Sequence, residues 1–280
     1  MTTTTYSAPD GTLLAYRAVG SGAPLVCLPG GPMRAAAYLG DLGGLSRHRR
    51  LILADARGTG DSAIPADPTS YRCDRQVDDV EALRDHLGLD RLDLLGHSAG
   101  ASLALCYATR HPERVGRLAL VTPSPAAVGV EVTPQLRRAT TEGRRGEPYH
   151  ATASAALERL IDGSAAPEDV AAIAPLQYGR WDAAAQTHHA AAAGQRNPEA
   201  TGVFLATPFD TTAIRAAVTS HRGRVLVLAG DRDVSTPEPA VAQLAALFPQ
   251  AEYAVQAGAG HYPWLDDPDA FTATLAAFLR

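Results

Sequence analysis

Short runs dominated by apolar residues, at 24–28, 50–54, 92–96, 118–121, 224–229 and 251–255, constrain this chain most. The runs at 24–28, 50–54 and 224–229 are apolar almost throughout, as strands buried on both faces are. Between the runs lie stretches with helical spacing, such as Val77, Val80, Leu83 and Leu87 within 74–87. Alternation of this kind calls for right-handed crossovers and a mostly parallel sheet with helices on both faces. Two further strands, 3–7 and 12–19, flank Pro9-Asp10-Gly11, a hairpin turn. The expected sheet therefore has eight strands. Helices are expected at 35–45, 74–87, 99–110, 238–247 and 268–279.

The segment 123–222 interrupts the alternation. It is Ala-rich, has no clear strand, and reads as helical at 151–161, 167–173, 181–192 and 197–205. A structureless loop of that length would be out of place in a compact domain. We expect a core domain of residues 1–122 and 223–280 and a helical cap inserted at 123–222. A chain of 280 residues suits one α/β core with such an insertion.

Composition removes several functions. All 25 basic residues are Arg, so neither a lysine Schiff base nor a P-loop is available. A net charge of -5 offers no basic field for nucleic acid or an anionic membrane. Cys27, Cys73 and Cys106 show no zinc or disulfide spacing, and Cys27 and Cys106 read as small buried hydrophobes. No charged segment followed by an apolar one opens the chain, and no run approaches a membrane span. The expectation is a soluble cytoplasmic protein without metal or organic cofactor. Its partner would be a small-molecule or short-peptide substrate. Nothing in the sequence indicates an oligomeric state.

The run 92–96 leads into Gly96-His97-Ser98-Ala99-Gly100 and then a helical stretch. Strand, sharp turn and helix push a serine hydroxyl out of the sheet, which suits a nucleophile. The following helix aims unpaired N–H groups and its positive dipole end at the same place. Two later strands end in Gly230-Asp231-Arg232-Asp233-Val234-Ser235-Thr236-Pro237 and Gly258-Ala259-Gly260-His261-Tyr262-Pro263. Chemistry in open α/β sheets gathers at the carboxyl ends of strands. A serine, an aspartate pair and a histidine thus come to one sheet edge, in the chain order Ser, Asp, His.

These motifs resemble the α/β-hydrolase superfamily over nearly the whole chain. Gly96–Gly100 resembles its nucleophile elbow, and the segments after Gly230 and Gly258 resemble its acid and histidine loops. Pro29-Gly30-Gly31-Pro32, with Asp55-x-Arg57-Gly58-x-Gly60-x-Ser62, is similar to the proline iminopeptidase branch. The resemblance implies an α/β-hydrolase fold with a helical cap and a catalytic triad of Ser98, Asp233 and His261. Within the acid loop the family pattern favours Asp233 over Asp231, which would cap the turn. The oxyanion hole would use the backbone N–H groups of Gly31 and Ala99, since Pro32 has none. The family often has His where this chain has Pro29.

Other candidates have plainer readings. His97 is expected to pack rather than act as a base. His188 and His189 are adjacent on a helix and cannot form a two-ligand face. Asp55 and Arg57 are expected to pair and shape their loop. Tyr178, Trp181 and Asp182 in the insertion are candidates for the substrate pocket. The expected reaction is hydrolysis of a carboxylic ester or amide, with iminopeptidase, thioesterase or lactonase activity, or a slow ligand-binding relative, as alternatives.

Overall fold

The structure, a computed structural model, describes residues 2–206 and 208–280. The hairpin β1 (Thr3–Ser7) and β2 (Leu13–Val19) opens the chain. Next come β3 (Pro24–Leu28), β4 (Arg50–Asp55), α1 (Val77–His86), β5 (Leu92–His97), α2 (Ala99–Arg110) and β6 (Val115–Val121). Within 123–222 follow α3 (Pro134–Glu142), α4 (His150–Asp162), α5 (Pro167–Ala172), α6 (Ala183–Ala190) and α7 (Pro198–Leu205). The chain closes with α8 (Thr211–Ser220), β7 (Arg224–Gly230), α9 (Glu238–Ala245), β8 (Ala251–Gln256), α10 (Pro263–Asp266) and α11 (Pro268–Phe278).

The eight strands form one sheet in the order β1-β2-β4-β3-β5-β6-β7-β8. Only the pairings made by β2 are antiparallel. Alternate residues of one strand enter different layers, as the two-residue period requires. Val26 and Leu28 join Leu94, Leu120 and Val227 on one face. Leu25 and Cys27 join Leu95, Ala119 and Leu228 on the other. Register brings Leu28 level with Gly96, His97 with Val121, and Gly230 with Gln256. The loops after β3, β5, β6, β7 and β8 therefore leave the sheet side by side.

Three expectations change. The helix at 35–45 is instead two 3-10 turns, Ala36–Leu39 and Leu45–Arg47. Between them Gly40, Gly43 and Gly44 take φ of 58°, 64° and 93°, a left-handed backbone that no helix tolerates. Within 123–222, α3 and α8 go beyond the helices expected. α3 buries only Thr141 and so shows no apolar period, although Thr133 caps it by accepting the Leu136 N–H. α8 buries Ile214 and Val218 in the same cluster as Leu105 and Leu118, so it packs with the core layer. Among the described residues no helix is long and apolar enough to cross a membrane.

Candidate active site

Ser98 sits between β5 and α2 with φ 53° and ψ -118°, a conformation that costs a non-glycine residue about 1–3 kcal/mol. The turn is tight enough to need both flanking glycines. A Cβ at Gly96 would lie 2.7 Å from the Ala101 Cα, and one at Gly100 2.2 Å from the Leu28 carbonyl oxygen. The Ser98 N–H donates to the Val121 carbonyl at 3.1 Å, which fixes the elbow to the neighbouring strand. Ser98 is half-buried, and its hydroxyl makes no hydrogen bond among the described residues. The Ala99 and Gly31 N–H groups likewise have no protein acceptor among them.

His261 and Asp233 meet from the loops after β8 and β7. The His261 Nδ1 donates to Asp233 Oδ2 at 2.7 Å, which leaves Nε2 unprotonated in the neutral ring. Asp233 is 0% exposed. Its Oδ1 accepts the N–H groups of Ser235 (2.7 Å) and Thr236 (3.1 Å), and its Oδ2 also faces the Thr236 hydroxyl at 2.7 Å. Burial alone would raise its pKa. The charge and hydrogen bond of His261, with those from Thr236, outweigh burial and hold the carboxyl below its ordinary value. Asp231 is exposed, and its carboxylate neither reaches His261 nor caps the turn.

The insertion is fastened directly to the histidine loop. The His261 N–H donates to the Gln177 carbonyl at 2.7 Å. The adjoining carbonyls of Tyr178 and Gly179 accept from Arg144, with the Arg144–Gly179 bond at 3.0 Å. Arg144 reaches the Arg232 carbonyl in the acid loop as well, at 3.3 Å. It is 1% exposed and pairs with no carboxylate among the described residues. Arg34 is equally buried. Its guanidinium lies 4.4 Å over the Tyr38 ring and donates to Gln195 Oε1 (2.8 Å) and the His188 carbonyl (3.1 Å).

The three pocket candidates separate. Tyr178 is buried, with its ring 4.9 Å from Tyr262 and its hydroxyl 2.8 Å from His188 Nδ1. Trp181 is half-buried and leans on Tyr178 and His189. Asp182 caps α6 by accepting the Ala185 N–H and pairs with Arg180, its side chain 47% exposed. Asp55 and Arg57 keep a structural role but do not pair with each other. Asp55 accepts the Ala36 N–H and pairs with Arg17, whereas Arg57 grips Asp79 and Asp10. Burial pins the arginine to a residue on α1, which spacing within the loop motif could not show. Cys106 is half-buried, with its thiol against that of Cys73.

His97 does more than pack: it bonds to Tyr38 and to the His261 carbonyl. Its place in the elbow motif was visible in the sequence, but neither partner was. Arg144 carried no sequence signal either. Beside the elbow lies a narrow crevice lined by Pro29, Pro32, Met33, Ala99, Leu103 and Phe204, among others. It holds about 30 Å³, room for a water molecule, and neither Ser98 nor His261 lines it.

Comparison with known proteins agrees with this architecture. A family model for the alpha/beta hydrolase fold matches residues 23–268. A proline iminopeptidase of Heyndrickxia coagulans is 25% identical over 276 residues, covering 93% of this chain and 92% of that protein. One from Lactobacillus helveticus (strain DPC 4571) is 42% identical over 112 residues, 38% of each chain. The crystal structure of esterase RhEst1 from Rhodococcus sp. ECU1013 superposes with a TM-score of 0.77 at 23% identity, covering 100% of this chain and 98% of that one.

Proposed function

The chain belongs to the alpha/beta hydrolase fold family, and within it we propose that it is a serine hydrolase cleaving a carboxylic ester of a small molecule. The observation that carries this reading is the 2.7 Å bond between His261 and a fully buried Asp233, beside a serine in a strained elbow. Ser98 Oγ attacks the substrate carbonyl as His261 Nε2 takes its proton. The N–H groups of Gly31 and Ala99 receive the developing oxyanion, each worth about 2.7–4 kcal/mol in the transition state. Asp233 holds the ring tautomer and stabilises the imidazolium. His261 then protonates the leaving group, and the acyl-enzyme forms. A water deprotonated by the same nitrogen releases the acid. The Ser98–His261 hydrogen bond forms when substrate binds, as such contacts often tighten only in the complex.

An ester is favoured over a peptide with a free amino terminus by where the acids of the insertion lie. Glu147, Glu158 and Asp182 pair with Arg232, Arg138 and Arg180, at 3.7, 2.8 and 3.2 Å. Glu142 pairs with Arg145, and Glu199 is exposed in the first turn of α7. Next to the histidine, Tyr262 feels the charges of Arg34 and Arg196 and the opposite charge of Asp233, a carboxylate already engaged by His261. The aminopeptidase reading retains the similarity to proline iminopeptidases in its favour.

A fluorophosphonate probe should label the protein at Ser98, and Ser98→Ala should abolish both labelling and turnover. p-Nitrophenyl esters should be cleaved with a far higher kcat/KM than proline p-nitroanilide. A preference for the anilide would replace the esterase reading with the aminopeptidase one. No labelling and no turnover of either substrate would end the hydrolase reading.

A further inference from the structure

The buried hydrogen bonds around His97 have only one possible direction. His97 Nε2 lies 2.9 Å from the His261 carbonyl oxygen, which can only accept, so Nε2 carries the proton. Nδ1 is then bare, and the Tyr38 hydroxyl, 2.6 Å away, must donate to it. The Tyr38 oxygen in turn accepts the Gly30 N–H at 2.7 Å. Burial raises the Tyr38 pKa and lowers that of His97 far below its usual value, so both stay neutral. Trp264 stands edge-on to the His97 ring at 4.9 Å, and Tyr262 lies 5.5 Å from it, which fixes the ring plane. Thr122, just past β6, gives the His261 carbonyl a second donor at 3.0 Å.

We propose that Tyr38 and His97 are positioning residues: a one-way chain Gly30 N–H to Tyr38 to His97 to the His261 carbonyl sets the catalytic base against the nucleophile and the oxyanion loop. The inference rests on the serine hydrolase reading above. Each end of the chain is one residue from, or at, a working group. Gly30 precedes the oxyanion donor Gly31, His97 precedes Ser98, and the last acceptor is the peptide of the base itself. Asp233 fixes the tautomer of His261, and His97 fixes the peptide from which that ring hangs. A misplacement of about 1 Å at a reacting group can cost about a hundredfold in rate.

The test uses the full chain and p-nitrophenyl acetate, with Tyr38→Phe, His97→Gln and His97→Leu. Tyr38→Phe should fold with a thermal midpoint several degrees below the parent, because the Gly30 N–H and His97 Nδ1 both lose this partner. Its kcat and fluorophosphonate labelling rate should fall about 10–100-fold while KM changes little. His97→Gln can donate to the His261 carbonyl and accept from Tyr38, so it should recover most of the kcat that His97→Leu loses. The double variant Tyr38→Phe, His97→Leu should be no slower than His97→Leu alone, because the two act in series. Parent-like kcat in a folded Tyr38→Phe overturns the proposal, as does a His97→Gln that is as slow as His97→Leu. If His97→Leu fails to fold, Tyr38→Phe against His97→Gln decides. A parent protein that is neither labelled nor active refutes the hydrolase reading and the chain with it. An active parent with an unaffected Tyr38→Phe refutes the chain alone.

Discussion

At the scale of single residues, the acid loop shows how burial separates two aspartates of the same motif. Asp233 is enclosed with three local donors and His261, while Asp231 faces solvent. Only the enclosed carboxylate can stabilise an imidazolium without competition from water. Asp233→Asn should therefore lower kcat about ten-thousandfold, the loss expected when the base takes the wrong tautomer. Asp231→Asn should leave kcat within about twofold of the parent, since exposed substitutions change little. Steady-state kinetics on one ester checks both. The choice of Asp233 was legible in the sequence only through the resemblance. Ser98 and His261 were legible without it, because glycine-rich turns after apolar strands mark where a sheet ends.

At the scale of elements, strands were read better than the segments between them. A strand such as β3, Pro24–Leu28, declares itself because both its faces are buried. α3 buries one residue, and the 36–47 stretch depends on glycine backbone angles, so neither has an apolar period to read. Contacts between the insertion and the core were also hidden, since they run from side chains to backbone carbonyls that no motif records. Arg144→Met should expose this dependence. It leaves the carbonyls of Tyr178 and Arg232 without a donor, at about 1–3 kcal/mol for each buried group left unpaired, while the Gly179 carbonyl keeps the Arg232 guanidinium at 3.0 Å. A fall of several degrees in the thermal midpoint is expected, with a loss in kcat because Gln177 next to that segment holds His261.

α6 supplies a pH-sensitive contact of known sign. Burial, then the Arg34 charge, lowers the His188 pKa from 6.5 to about 4. Its Nε2–H donates to the Tyr38 carbonyl, and its bare Nδ1 accepts from the Tyr178 hydroxyl. A histidine held neutral stabilises the folded state fully above pH 6.5, and that contribution falls as pH drops from 6.5 towards 4, where the folded form also protonates. Trp181 packs on Tyr178, so its emission should shift to the red across this window while far-UV circular dichroism is unchanged. His188→Gln should show no such shift.

At the scale of the whole molecule, the site depends on strand order more than on any one element. Residues 31, 98, 233 and 261 are far apart in the chain, and they come to one edge of the sheet because β3, β5, β6, β7 and β8 are consecutive neighbours in it. The class of fold and the ordered strand ends could be inferred from the apolar runs. The packing of α8 could not, because it follows Ala-rich helices in the chain and yet joins the core cluster. In a urea titration, hydrolase activity should be lost with, or before, the far-UV signal of the sheet and helices. Activity that outlasts that signal would mean the site survives without its strands.

The bond from the His261 N–H to the Gln177 carbonyl has a consequence for anyone building hybrid enzymes on this scaffold. Exchanging the whole insertion for that of a relative, to import a new specificity, would also replace the peptide on which His261 is mounted. A graft that retains Gln177, Tyr178 and Gly179 together with Arg144 keeps that mounting, and only such a graft lets specificity be varied separately from turnover.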